Sequence, residues 1–230
     1  MFFDPLYIAI VVIGMALSGL ASLWVRTAFS KWSKVPMSRG MTGRDVAAAI
    51  LQAEGISGVT IEETTGRLSD HYDPTSRTLR LSSENYRGMS IASAGIAAHE
   101  VGHAIQHKVG YWPMELRQRM VPVANLGTNF GMILVMIGAF MGFMGLAKLG
   151  VLVFAGFVAF TLVTLPVEID ASLRARKALV SGGILSGQES VGVSKMLSAA
   201  AGTYLAAAVV AILNLLYLAL RAGLLGNNDD

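Results

Sequence analysis

Four long uncharged apolar runs constrain the fold of this 230-residue chain more than any other feature. They cover residues 5–25, 120–147, 149–167 and 196–220. A helix that crosses ~30 Å of hydrocarbon needs ~20 predominantly apolar residues, because it rises 1.5 Å per residue. With 53% hydrophobic and only 14% charged residues, the composition is that of a membrane protein. The sequence therefore predicts four transmembrane helices, of which the second and third form a hairpin that turns at Lys148.

The lysines and arginines lie mainly in two of the segments that join these runs. Of the 18, 12 lie in residues 26–119 and 4 in residues 168–195. Loops that are rich in Lys and Arg stay in the cytoplasm, so both segments are predicted to be cytoplasmic and both termini to face outward. The first run is predicted to be an anchor rather than a cleaved signal, since its basic residues follow it.

Residues 26–119 are predicted to form a small α+β domain. The sequence from Thr42 to Asp45 can cap a helix over residues 46–54, which Gly55 ends. Three short strand-like runs follow, at residues 59–63, 67–71 and 78–81. A further helix starts at Ser90 or Ser93 and ends at Gly110. The predicted fold is a mainly α membrane protein with four transmembrane helices and this small cytoplasmic domain.

The last of these helices contains the sequence His99-Glu100-Val101-Gly102-His103, which matches H-E-x-x-H. Residues four apart on a helix differ by ~40° in direction and ~6 Å in height, so both histidines can reach one metal ion. Glu100 points one step away and can act as a general base toward water. The chain has no cysteine, so His and carboxylate side chains must hold the metal. The pattern predicts a zincin-like site, whereas a purely structural apolar helix would leave these polar groups unsatisfied.

His107 continues the same spacing but is predicted not to be a ligand. Its position lies ~12 Å along the helix axis from that of His99, which is too far for both side chains to bind one zinc ion at ~2.1 Å. Gln106 and His107 are predicted to be surface residues or neighbours of the ligands.

A catalytic zinc ion takes three protein ligands, so a carboxylate must join the two histidines. The candidates are Glu115, Glu168, Asp170 and Glu189. Glu115 is predicted to cap a helix and Glu189 to be solvated in a loop. Glu168 directly follows the third apolar run, and a carboxylate at the end of a membrane span usually has a function. The chain crosses the membrane twice between His103 and Glu168, so Glu168 is predicted to lie on the same side as the histidines. Asp170 is predicted to accept a hydrogen bond that orients a ligand histidine.

Three stretches together resemble the YugP-like family of bacterial membrane zinc metallopeptidases. They are DHYDP at residues 70–74, SIASAGIAAHEVGHAIQH at residues 90–107 and LPVEIDASLRA at residues 165–175. The resemblance implies one catalytic Zn²⁺ bound by His99, His103 and Glu168, with Glu100 as the catalytic base. It also implies a multi-pass protein of the bacterial inner or plasma membrane.

His71 and Tyr72 lie in the first of these stretches and have two interpretations. They are either hydrogen-bonded surface residues, or they reach over the metal and donate a hydrogen bond to the oxyanion of the reaction intermediate.

The predicted function is a zinc metalloendopeptidase of the H-E-x-x-H plus Glu type that acts at the cytoplasmic face. Its expected partners are a peptide or protein substrate and the lipid bilayer, and a homo-oligomer or membrane partner is left open. No aromatic-interleaved basic patch is present, so nucleic acid is not an expected partner. The alternative function is a non-proteolytic zinc-binding membrane scaffold or chaperone, which would have no need for Glu100 beside an open metal position.

Overall fold

A computed structural model describes residues 4–66 and 69–225 of the chain. The protein is mostly helical, with 75% of residues in helices, and has one small three-stranded sheet. Four helical stretches within the described residues are long and apolar enough to cross a membrane. The prediction of a mainly α chain with four candidate membrane spans is therefore confirmed, whereas the division into transmembrane and cytoplasmic segments stays a prediction.

The sheet and the shorter helices lie between the first two candidate spans. The first span is α1 (Pro5–Trp32). It is followed by α2 (Gly43–Ala53), β1 (Thr60–Thr64), β2 (His71–Asp73), β3 (Thr78–Ser82), α3 (Ser83–Arg87) and α4 (Ile91–Lys108). The second span, Trp112–Phe140, consists of α5 (Trp112–Leu126), a π-helical segment (Gly127–Gly131) and α6 (Met132–Phe140). The last two spans are α7 (Met144–Ser181) and α8 (Gly187–Arg221).

The chain divides into two compact units. Unit 1 comprises Met1–Leu20, Glu115–Pro166 and Tyr204–Asp230, and unit 2 comprises Ala21–Met114 and Val167–Thr203. In unit 1, Cβ atoms at Gly127 and Gly138 would clash with Phe157 and Ala147 respectively. Glycine lets these helices pack backbone to backbone, as is common between membrane helices.

The turn between the second and third candidate spans lies before the predicted position. The chain turns after α6 at Gly142, whose φ is +67°. Lys148 was predicted to lie in this turn, but it lies within α7. Glycine adopts a positive φ without steric cost, so Gly142 is the residue that permits the chain to reverse.

The sheet of unit 2 has the strand order β1-β3-β2. Strand β1 runs parallel to β3 with Ile61 opposite Leu79, and β2 runs antiparallel to β3 with Tyr72 opposite Leu79. The second strand was predicted at residues 67–71, but it covers His71–Asp73, and residues 67 and 68 lie outside the described part of the chain. Leu79 and Leu81 are fully buried in one core with residues of α2 and α4.

Helix α2 begins with the predicted capping box. The Thr42 hydroxyl accepts a hydrogen bond from the Asp45 backbone N–H at 3.1 Å, and the Asp45 carboxylate accepts one from the Thr42 N–H at 3.1 Å. These bonds satisfy backbone donors that a helix start leaves unpaired. The capped helix packs its buried Val46, Ala47 and Ile50 into the core that contains α4. The cap stabilises α2, and α2 in turn packs in one core with α4, which contains the H-E-x-x-H sequence.

We predict that Thr42→Ala lowers the free energy of unfolding by about 1 kcal/mol, because an alanine cannot accept the N-terminal hydrogen bond. Thermal unfolding in detergent micelles would measure the loss. Thr42→Ser retains the acceptor and serves as the control. Equal stability of the alanine and serine variants would contradict a role for the cap.

Candidate metal centre

Helix α4 holds the two motif histidines in a buried setting. The Ser90 hydroxyl caps the helix by accepting a hydrogen bond from the Ser93 backbone N–H at 3.1 Å. Of the two predicted helix starts, Ser90 and Ser93, the structure thus has Ser90. Ala94, Ala97 and Ala98 are fully buried. Because these side chains are small, neighbouring helices can come close to the backbone of α4.

Gly102, at the fourth position of the motif, faces α7 at very short range. A Cβ at this position would overlap the carbonyl oxygen of Ala171 and lie 3.1 Å from its Cα. Only glycine therefore permits this approach without displacing backbone. The contact brings the α7 residues that flank Ala171 next to the histidines of α4.

Three side chains meet at this crossing. The Oε2 atom of Glu168 lies 3.2 Å from Nε2 of His99 and 3.7 Å from Nε2 of His103. One ligand atom from each of the three residues lies within 4.8 Å of the others. The Glu168 side chain is 3% exposed, whereas that of His99 is 15% exposed. The structure thus brings together the three residues that were predicted as metal ligands.

The Nδ1 atoms of both histidines have separate hydrogen-bond partners. His99 Nδ1 lies 3.1 Å from the Ser172 hydroxyl, and His103 Nδ1 lies 3.0 Å from the Gln106 side-chain oxygen. Partners at Nδ1 orient the rings and leave Nε2 directed at the shared carboxylate. The Nε2 atoms are therefore the ones that could coordinate a metal.

The hydrogen bonds of Gln106 determine which nitrogen of His103 carries the proton. The amide nitrogen of Gln106 donates to the Val167 carbonyl at 2.8 Å and to the Asp170 carboxylate at 2.8 Å. Both of its N–H groups are then used, so the amide oxygen must accept from Nδ1–H of His103. Neutral His103 consequently has a free lone pair on Nε2.

Asp170 is held by a second set of contacts. Arg174 donates from Nε to the Asp170 carboxylate at 2.5 Å, and its guanidinium lies 5.6 Å from the centroid of the Tyr111 ring. These hydrogen bonds hold the Asp170 carboxylate in position. Asp170 was predicted to orient a ligand histidine, and the structure connects it to His103 through Gln106 rather than directly, so this role stays a prediction.

Glu100 is buried in α4, next to the ligand candidate His99. The residue is 8% exposed, and no group within residues 4–66 and 69–225 donates a hydrogen bond to its carboxylate. Its negative charge nevertheless acts on His103.

The surroundings of His103 favour a positive charge. Burial by itself lowers the pKa of this histidine, but the hydrogen bond with Glu168 and the charges of Glu100 and Glu168 outweigh burial and raise the pKa above its usual value. The same carboxylates would attract a metal cation to this position.

The other predicted residues lie elsewhere. His71 is exposed, with Nδ1 2.7 Å from the Ser69 carbonyl and Nε2 3.4 Å from Arg80. The Tyr72 hydroxyl lies 2.9 Å from Nδ1 of His107, one turn beyond His103. The hydrogen bonds of His71 and Tyr72 thus lead away from the three clustered residues, and an oxyanion role for either stays a prediction.

The prediction for one other side chain was wrong, and that for Gln106 was settled between its two alternatives. Glu189 is not solvated: it is 6% exposed and accepts hydrogen bonds from the backbone N–H groups of Ser38 and Ser186, each at 2.6 Å. Gln106 is fully buried and hydrogen-bonded to His103, so it is a neighbour of the ligands, the second of its two predicted positions. The positions of Gln106 and Ser172 beside the site could have been inferred from helical spacing. Gln106 lies three residues after His103 on one helix, and Ser172 lies four residues after Glu168 on the other.

The donor set fits zinc. Two imidazoles and one carboxylate are ligands that catalytic zinc takes, and such sites keep a further position open. Each histidine has the Nδ1 partner that ligand histidines ordinarily have. Glu100 directly follows His99 in the same helix and is buried. The centre has the composition of a hydrolytic zinc site, in a chain with four candidate membrane spans.

Comparison with known proteins agrees with this class. The chain belongs to the family described as "Putative neutral zinc metallopeptidase", whose model matches residues 7–223. It is 43% identical over 211 residues to "Putative membrane protease YugP" of Bacillus subtilis (strain 168), which covers 92% of this chain and 94% of the relative. No solved structure gives a significant match. The predicted family is confirmed, and membership implies zinc as the metal.

We predict that Gln106→Leu weakens zinc binding by about 10–100-fold, because His103 loses the acceptor that fixes its protonated nitrogen. Competition with a chelator would measure the zinc affinity of the purified protein. His107→Gln changes the adjacent residue, whose ring is hydrogen-bonded to Tyr72, and this variant should bind zinc as the unmodified chain does.

A second prediction concerns the helix crossing. Gly102→Ala should destabilise the protein by about 2 kcal/mol through overpacking, and should lower zinc affinity because α7 and Glu168 must move away. Gly187→Ala is the matched control, since a Cβ there meets no atom within 4 Å. Unchanged zinc affinity in the Gly102 variant would show that the close contact between α4 and α7 does not position the metal ligands.

Proposed function

We propose that the protein is a zinc-dependent endopeptidase that cleaves membrane or membrane-proximal proteins at the cytoplasmic face. It would use a single catalytic zinc ion held by His99, His103 and Glu168. The observation that carries this proposal is the Glu100 carboxylate, which is buried beside the ligand set and has no hydrogen-bond donor within the described residues.

Zinc in this centre would supply Lewis acidity, which makes water reactive at neutral pH and polarises a peptide carbonyl. Glu100 would take the proton from the attacking water and pass it to the leaving amine. Ser172 and Gln106 would hold His99 and His103 in the tautomer that presents Nε2. The low exposure of Glu168 limits competition from bulk water.

A purely structural zinc site in a scaffold or chaperone has less support. Such a site takes a fourth protein ligand and is closed, whereas the group found among the described residues contains three. It would also have no use for a buried carboxylate such as Glu100 beside the ligand set. We therefore favour hydrolysis.

The cytoplasmic location rests on the charge distribution, because 16 of the 18 lysines and arginines lie in residues 26–119 and 168–195. These two segments contain all four residues of the proposed catalytic set. The substrate would accordingly be presented from the cytoplasm or from the adjacent bilayer surface.

Two substitutions separate chemistry from metal binding. Glu100→Gln should retain zinc but lower hydrolysis by about 10²–10⁴-fold, the usual contribution of a general base. Glu168→Ala should lose zinc and activity together. Metal content by atomic absorption and cleavage of casein in detergent would measure the two effects.

Glu115→Gln is the control, since this exposed glutamate of α5 is outside the site. Full zinc content in the Glu168 variant would overturn the ligand assignment. Full zinc content without casein cleavage in the unmodified chain would favour the scaffold.

The proposed orientation can be tested separately, because the chain has no cysteine. Single cysteines at the exposed positions Gln52 and Met141 report on α2 and on the turn after α6. In intact cells, a membrane-impermeant maleimide should label Met141→Cys but not Gln52→Cys. The reverse pattern would place the site outside and leave the peptidase proposal intact.

A further inference from the structure

A cavity of about 310 Å³ adjoins the C-terminal half of α4. It lies between α4, strand β2 and the loop that follows α2, all within unit 2. Ile56, Val59 and Ala104 form its apolar part, and Tyr72, Arg77, His107 and Lys108 its polar part. None of its lining residues is acidic. The cavity is therefore suited to a negatively charged group with a short apolar stem.

Arg77 is the cationic side chain available in this cavity. Within residues 4–66 and 69–225 its guanidinium has no hydrogen-bond or ion-pair partner. Lys108, by comparison, donates to the Glu54 carbonyl near the end of α2, and His107 is hydrogen-bonded to Tyr72. An exposed arginine can present two parallel N–H groups to a carboxylate.

The backbone of Arg77 has an unusual conformation. Its φ of +51° lies in the left-handed region, and it is the one non-glycine residue with positive φ in the described chain. The preceding turn is held by the Asp73 carboxylate, which accepts from the Thr75 N–H at 2.9 Å and from the Ser76 hydroxyl at 2.6 Å. Glycine or asparagine would adopt this conformation at lower cost. An exposed arginine in this strained conformation, whose guanidinium has no hydrogen-bond or ion-pair partner within the described residues, is a candidate for binding a ligand.

The cavity shares a helix face with Glu100. Glu100, Ala104 and Lys108 are spaced by four residues, so they lie along one stripe of α4, with His107 beside it. Along the axis, Ala104 and Lys108 are ~6 Å and ~12 Å beyond Glu100. An extended peptide spans ~3.3 Å per residue, so this distance corresponds to about two to four residues.

We propose that this cavity binds a carboxylate of the substrate, either an acidic side chain or the chain terminus, two to four residues from the bond that is cleaved. The proposal rests on the proposed peptidase function. Arg77 provides the charge, Lys108 adds to it, and Ile56 and Val59 contact the apolar stem. The shared face with Glu100 favours a substrate carboxylate over the phosphate of a lipid headgroup.

The first test is the cleavage-site profile of dephosphorylated casein, determined by mass spectrometry. The unmodified protein should cut with Asp or Glu enriched by about fivefold at one fixed position, the effect of one partly exposed charge-assisted hydrogen bond. Arg77→Asn tolerates the left-handed backbone and should lose the enrichment. Arg77→Asp, which also tolerates it, should favour Lys and Arg there.

Arg87→Gln is the matched control, because Arg87 pairs with Glu63 and is absent from the cavity. It should cut with the profile of the unmodified protein. An identical acidic preference in Arg77→Asp and the unmodified chain would overturn the proposal and leave proteolysis standing.

The second test does not depend on cleavage. Zinc-loaded Glu100→Gln protein is titrated with two rhodamine-labelled peptide libraries that differ only in a fixed Glu or Gln, and binding is followed by fluorescence anisotropy. The Glu library should bind about fivefold more tightly, and Arg77→Asp should reverse the order. Equal binding of both libraries would overturn the proposal even if casein is cleaved. Equal binding of the two libraries, with phosphatidylglycerol lowering the affinity for both, would instead assign the cavity to a lipid headgroup.

Discussion

The candidate site depends on one close contact between two helix backbones. Gly102 of α4 meets Ala171 of α7 at a distance that excludes a Cβ. Residues 99, 102, 103 and 106 form one stripe on α4, and residues 168, 171, 172 and 175 form a stripe of the same spacing on α7. When the two stripes face each other, small residues occupy the crossing and polar residues flank it. His99, His103 and Glu168 converge for that reason.

The polar groups around this crossing form a connected network. Arg174 holds Asp170, Asp170 and the Val167 carbonyl use both donors of Gln106, and Gln106 thereby accepts from His103. A fully satisfied amide is fixed in one orientation, which also fixes the histidine tautomer. The negative charges of Glu168 and Glu100 both act on His103. This concentration of negative charge beside two imidazoles makes the centre attractive to a cation.

The local features of the fold were predictable from the sequence. The capping box at Thr42 and Asp45, the start of α4 at Ser90 and its end near Gly110 all follow from contacts between residues close in the chain. The second strand and the turn before α7 were misplaced, because turn residues are common on both sides of each true boundary. Glu189 was misjudged because its partner Ser38 is 151 positions away in the chain.

The sequence by itself determined the class of the chain, its four apolar spans and the pairing of His99 with His103, since a helix fixes the geometry of residues four apart. It also favoured Glu168 among four carboxylates, because this residue follows the third apolar run on the side predicted for the histidines. Only the tertiary structure decided the rest. Residues that are 61 to 73 positions apart in the chain are in contact where Gly102 allows α7 to approach α4. The local sequence does not indicate which distant backbone a glycine will contact.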